Sequence, residues 1–248
     1  MPRSADASRA DAPLRILAIG AHPDDVEFGC GGILAVETAR GSAVTIAALT
    51  RGESATSGTP ETRRREAEAG AAAIGASAEF LEIGGDGRLE YRPENALVIA
   101  AVIRRLRPQI VLAPSPDEDQ HPDHPKTARL TRDAARLARY GGLTGAGPDP
   151  AHAIDALYYY DITGVGTGTA LAHLAKILVD VSPVVGAWTA AMECHASQMA
   201  TRNYIDLMLA RSRALGVAIG VEHAMAVWAN DPIRVDALGD LRGTARRF

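Results

Sequence analysis

The chain predicts an α/β fold: a mostly parallel sheet with helices on both faces, formed as a single domain. Three observations carry that expectation. Strand-like apolar runs alternate with helix-period segments, and glycine and proline mark the boundaries between them. At 248 residues with 47% apolar side chains, the chain is long enough to bury one large core.

Each element has its own local signal. Leu14 to Gly20 (LRILAIG) is short and apolar and reads as the first strand. A helix is expected over Gly31 to Arg40, closed by Gly41 as a C-terminal cap, and a second strand over Val44 to Thr50. Thr59-Pro60-Glu61 signals a helix start, a hydroxyl cap with proline at the first helical position. That helix should run from Pro60 to Ile74 and end at Gly75. Strand Glu79 to Ile83, helix Glu94 to Arg107, strand Ile110 to Ala113 and helix Pro125 to Tyr140 continue the alternation. Gly141 to Pro150, rich in glycine and proline, is expected to be a mobile surface loop. Strands Ala156 to Asp161 and Ile177 to Val181, then helices Val184 to Met199 and Tyr204 to Leu215, complete the pattern. Residues 1–12 are polar and lack the apolar stretch of a secretory signal, so they read as a disordered tail before a domain at 13–248.

Composition removes several function classes. Net charge is −4 and the one basic run, Arg63 to Arg65, is local, which speaks against a nucleic-acid partner. No apolar run is long enough to cross a bilayer. Cys30 and Cys194 are far apart and in no metal-binding spacing, consistent with reduced thiols in a cytoplasmic protein.

The chemistry gathers in two clusters. His22-Pro23-Asp24-Asp25 comes after the first strand, and His121-Pro122-Asp123-His124 after the fourth. Ligands of open parallel sheets bind outside the carboxyl ends of the strands, so the clusters are expected to meet in one site. Imidazole nitrogen and carboxylate oxygen suit a divalent metal without any thiolate. Adjacent aspartates point in different directions, so one can bind metal while the other faces water or substrate. His121 and His124 can divide their labour in the same way. Two imidazoles and one carboxylate would leave a coordination position open, as in catalytic zinc sites. Each cluster alone is also ordinary turn material; the pairing at two strand ends is what points to a site. The same donors could serve a ferrous oxygenase or a non-catalytic sugar-binding module, but the second aspartate argues for hydrolysis. Gly29, Gly31 and Gly32 read as close packing of the first helix rather than a nucleotide loop.

AHPDDVEFGCGG at 21–32 and HPDH at 121–124 resemble the LmbE-like, or PIG-L, family of zinc-dependent N-acetylglucosaminide deacetylases. The likeness continues through LTRGESATSGTPETRRREA, LRPQIVLAPSPDEDQHPDH, HASQM and GVEHAMAVWANDPIRVDAL. These segments are most similar to the branch that deacetylates N-acetylglucosaminyl-malate in bacillithiol biosynthesis. The resemblance implies a Rossmann-like fold, hydrolysis of a linear amide, and a homo-oligomer, trimeric or hexameric. It implies Zn2+, with Fe2+ or Mn2+ acceptable to the same ligands. It makes His22, Asp25 and His124 the metal ligands, and Asp24 the general base. His121 would stabilise the tetrahedral intermediate, with Asp123 behind it, and Arg63 would bind a small-molecule glycoside substrate. Another N-acetylglucosaminide, or a thiol conjugate cleaved by an amidase on the same fold, stays open as the substrate. Gln120 stands where relatives of that branch often carry arginine, which bears on how malate would be held. Asp86, in Gly84-Gly85-Asp86-Gly87, is a weaker candidate at the substrate mouth, and His195 is left without a role.

Overall fold

The computed structural model describes residues 13–117, 120–162, 170–199 and 203–238. Its elements are β1 (Arg15–Gly20), α1 (Asp25–Ala39), β2 (Ala43–Ala48), α2 (Pro60–Ala73), β3 (Ser77–Phe80), α3 (Pro93–Leu106) and β4 (Ile110–Pro114). They continue with α4 (Asp123–Ala138), β5 (Ala156–Tyr160), β6 (Lys176–Asp180), α5 (Val185–Glu193), α6 (Tyr204–Ile219) and β7 (Ala224–Ala229). The expected tail at residues 1–12 lies outside the described residues. No helix among the described residues is long and apolar enough to cross a membrane.

The strands form one sheet in the order β3-β2-β1-β4-β5-β7-β6. All pairings are parallel except those of β7, which runs antiparallel to both β5 and β6. Strand side chains alternate between faces, and β1 shows it. Ile16 and Ala18 join the core beneath α1, α2, α5 and α6, while Leu17 and Ile19 join the core beneath α3 and α4. The expected α/β architecture is the observed one, Rossmann-like and mostly parallel.

The chain leaves β1 toward β2 on one side, whereas β4 pairs with β1 on the other, with Ile16 opposite Ile110 and Ala18 opposite Leu112. This reversal opens a crevice at the carboxyl ends of β1 and β4, where open α/β sheets bind ligands. Both clusters emerge there.

Besides β3, which forms at Ser77–Phe80 rather than over Glu79 to Ile83, four expectations need correction. First, α1 begins at Asp25, six residues before the expected start. Its glycines lower helix propensity, which hides the first turns in the sequence. Tertiary contact explains them: a Cβ on Gly29 would lie 2.4 Å from Tyr160 Cδ2, and one on Gly32 would lie 2.8 Å from Met225 Sδ. Second, β7 is additional to the expected strands. Ala224–Ala229 (AMAVWA) is rich in alanine, a weak strand former, yet it pairs on both edges and is almost wholly buried. Third, the helix expected over Val184 to Met199 stops at Glu193 and resumes as a short 3-10 turn, Ala196–Gln198. Fourth, the loop after α4 is tied down. The buried Arg104 donates to Ala138 O (3.0 Å), Tyr140 O (2.7 Å) and Ala146 O (3.4 Å), and Ala146 is fully buried. The guanidinium thus adds a donor to the Ala138 and Tyr140 carbonyls, which also accept the His152 and Leu143 N–H groups, and holds the Ala146 carbonyl of the loop beyond α4.

Candidate active site

At the end of β1 the backbone turns sharply. Asp24 holds φ at +125°, a region non-glycine residues rarely occupy, and it caps α1 at its N-terminus. Such strain persists only where surrounding contacts over-determine it. Here Arg63 of α2 supplies them: it donates to Pro23 O (2.7 Å), Asp24 Oδ2 (2.9 Å) and Gly52 O (3.2 Å). The side chain of Asp25 turns the other way, its Oδ2 accepting the His22 backbone N–H at 2.9 Å. The divergence expected of adjacent aspartates is therefore present.

The first turn of α4 brings the second cluster to meet the first. His124 Nε2 lies 3.2 Å from Asp25 Oδ1, and His22 Nδ1 lies 3.4 Å from Asp25 Oδ2. His22, His121 and His124 each offer a nitrogen within 4.8 Å of the others'. His22, Asp86, His121 and Asp123 make a second such group. Every candidate named from the two clusters thus lies in one place. Arg63 lies there too, but its donors rest on Asp24 and two carbonyls rather than standing open for a substrate. Asp123 is also placed differently from the expectation. Its carboxylate accepts Gly87 N–H (2.7 Å) and pairs with Lys126 (3.0 Å), lying 4.0 Å from the His121 ring. What reaches His121 is the Asp123 backbone N–H, which donates to Nδ1 at 3.3 Å.

Electrostatics tests whether these residues fit a metal. Burial would lower His22, but Asp25, helped by Asp123 and Asp86, pushes it up to about 12. Burial would raise Asp25, but His124 and His22 hold it well below the carboxylate range. Imidazole nitrogens and carboxylate oxygens this close together are the donors that a divalent cation takes. The residues fit. Burial, with repulsion from His22 and His124, lowers His121 and favours its neutral form. Burial also raises Asp24, against the lowering pull of Arg63.

These groups line a cavity of about 310 Å³. One wall is polar, from Ser54 to Thr56, and another is apolar, from Phe28, Ile162, Tyr204 and Met208. Two features have weak or no sequence signal. Asp86, a weak candidate by sequence, stands 3.1 Å from His22 Nε2. Its signal is a lone acid among glycines that adopt positive φ. His195 is buried 3.5 Å from Glu27 Oε1 and beside the Phe28 ring, behind the site rather than in it. Nothing in the local pattern marks that pairing.

A mostly parallel sheet with a paired His/Asp centre at its switch point fits a metal-dependent hydrolase. Comparison with known proteins agrees. Residues 17–135 match the PIG-L family, GlcNAc-PI de-N-acetylase. Diacetylchitobiose deacetylase of Thermococcus kodakarensis is 32% identical over 197 residues, covering 74% of this chain and 70% of that protein. A 4-oxalmesaconate hydratase of Pseudomonas putida is also 32% identical, over 51% of this chain and 53% of that one. The conserved protein TT1542 of Thermus thermophilus superposes with a TM-score of 0.79 at 32% identity, over 90% of this chain and 97% of that one. The chain belongs to the PIG-L, or LmbE-like, deacetylase family and is a metal-dependent N-deacetylase.

Proposed function

We propose that the protein removes the acetyl group from an N-acetylglucosamine-containing small molecule, using zinc held by His22, Asp25 and His124. Iron or manganese would suit the same donors. When bound, the metal supplies Lewis acidity, polarising a carbonyl and making water more acidic. Asp24, kept apart from the metal donors by its backbone and by Arg63, takes the proton of the attacking water and hands it to the departing amine. Arg63 is thereby the residue that positions the base. His121 accepts the Asp123 N–H at Nδ1, so its hydrogen sits on Nε2, ready to donate to the developing oxyanion. One observation carries the reading: His22 and Asp25 meet His124 across β1 and β4, while Asp24 is held separately on Arg63.

The resemblance to the bacillithiol branch makes N-acetylglucosaminyl-malate one candidate substrate. The cavity favours a neutral aglycone instead. Among the described lining residues the only lysine or arginine is Arg63, and it is already paired with Asp24. A carboxylated substrate, whether malate glycoside or a hydratase's acid, would find no unpaired lysine or arginine among the described lining residues. The diacetylchitobiose relative points the same way. Metal-loaded protein should be given diacetylchitobiose, N-acetylglucosaminyl-malate and an N-acetylglucosaminyl-inositol, with free amine read by mass spectrometry and a chelated control. Chelator-sensitive amine from any of them supports the reading, and preference for the neutral glycosides supports the finer one. Metal-loaded protein that releases no amine from the panel would sink it. The homo-oligomer belongs to the same reading, and light scattering on the purified chain tests it.

A further inference from the structure

A histidine that binds a metal through one nitrogen almost always gives its other N–H to a carboxylate, a carbonyl or water, which fixes the ring and its tautomer. His22 turns Nδ1 toward Asp25 and the proposed metal position. Nε2 faces the opposite way, buried and without an in-line hydrogen bond among the described residues. Two carboxylate oxygens lie on that side, Asp86 Oδ1 at 3.1 Å and Asp123 Oδ2 at 3.7 Å. Asp123 is committed elsewhere: Oδ2 accepts Gly87 N–H and Oδ1 pairs with Lys126. Asp86 uses Oδ2 on the Ser54 N–H (3.0 Å), which leaves Oδ1 toward His22.

We propose that Asp86 is the positioning carboxylate of His22, and that it ties this imidazole to the loop forming the polar wall of the cavity. The proposal rests on the metal reading above. Local sequence builds the device. Gly84, Gly85 and Gly87 take φ of +73°, +87° and +74°, conformations that glycine adopts without strain. A Cβ on Gly85 would sit 2.9 Å from Glu53 Oε1, the atom that accepts the Asp86 N–H at 3.1 Å. Ser54 Oγ donates to Asp86 O at 2.9 Å. Asp86 is therefore gripped by Glu53 and Ser54, and Ser54 itself lines the cavity. The ring orientation of His22 and the placement of the 53–56 wall are set by one residue.

The test is metal affinity, read by chelator competition with zinc and cobalt(II), on wild type, Asp86→Asn, Asp86→Ala and His124→Ala. Loss of an orienting partner weakens metal binding about 10–100-fold. Asp86→Ala should show that loss, and Asp86→Asn a smaller one because its amide oxygen can still accept. The visible spectrum of bound cobalt should keep the wild-type intensity, since the coordination number is unchanged. Asp86 variants that bind metal as wild type does, while His124→Ala does not, would overturn this inference alone. A changed cobalt coordination number would overturn it too, making Asp86 a ligand. Wild type that binds no metal would instead overturn the metal reading beneath it. Circular dichroism of the metal-free variants checks that each is folded.

Discussion

The two adjacent aspartates sit in opposite environments, which separate their proposed roles. Asp25 is drawn down by two imidazoles, whereas Asp24 is raised by burial and steadied by one guanidinium. Replacing Asp24 by Asn should lower kcat by about 10²–10⁴-fold, the usual worth of a general base, with metal content unchanged by elemental analysis. His124→Ala should do the reverse, losing metal first and activity as a consequence, and dialysis against zinc would show it. Arg63→Lys keeps the charge but loses the fork that grips Asp24 and two carbonyls at once. It should cost roughly 10²-fold in kcat with little change in KM, because it displaces a reacting group rather than a substrate contact. A large KM effect with kcat preserved would return Arg63 to the role of substrate ligand that the family resemblance implies.

At the scale of elements, the least helix-like stretch proves the most constrained. Gly29 sits against the Tyr160 ring, whose hydroxyl donates to Ile19 O at 2.8 Å, so α1 and β5 grip β1 just before the site. Gly29→Ala should destabilise by about 1–3 kcal/mol through overpacking, despite the better intrinsic helix former, as urea denaturation would report. Arg104→Met should also cost about 1–3 kcal/mol, because it removes three hydrogen bonds and takes the guanidinium from the carbonyl of the buried Ala146. The Ala138 and Tyr140 carbonyls keep the His152 and Leu143 N–H groups. Legibility divides along the same line. Strands β1, β2 and β4 and helices α2 and α3 are readable because apolar runs, caps and glycine stops are local signals. The start of α1 and the whole of β7 are not, because their residues are chosen for contacts with Tyr160, Trp188 and the neighbouring strands rather than for propensity. The loop after α4 reads as mobile because nothing in its own composition reveals an arginine held on α3, 42 residues before Ala146.

For the molecule as a whole, a metal held by the proposed ligands would join two halves of the sheet that the chain connects only through long crossovers. The proposed ligands His22 and Asp25 lie in the turn after β1 and at the start of α1, and His124 lies in the first turn of α4, beside strands that run side by side in register. Removing it should therefore lower stability as well as activity. At a thousandfold excess of metal over Kd the linkage is about 4 kcal/mol, which for a chain of this size is on the order of 10 °C in the melting temperature. A thermal scan with and without chelator measures it, and an unchanged midpoint would mean that no metal bridges the halves.

The sequence by itself determined the candidate donor residues, the alternation of strands and helices, and the family. All three are written in local pattern: residue type, spacing, and the residues at the end of each strand. Only the tertiary structure decided which donors face one another. The pairing of β1 with β4 at the switch point brings residues a hundred positions apart to contact. Arg63 reaches Asp24 across thirty-nine residues, and the Gly84–Gly87 loop brings Asp86 to the far nitrogen of His22. Those arrangements depend on sheet order and on side chains packed from separate elements, and no short window of sequence contains both partners of any of these contacts.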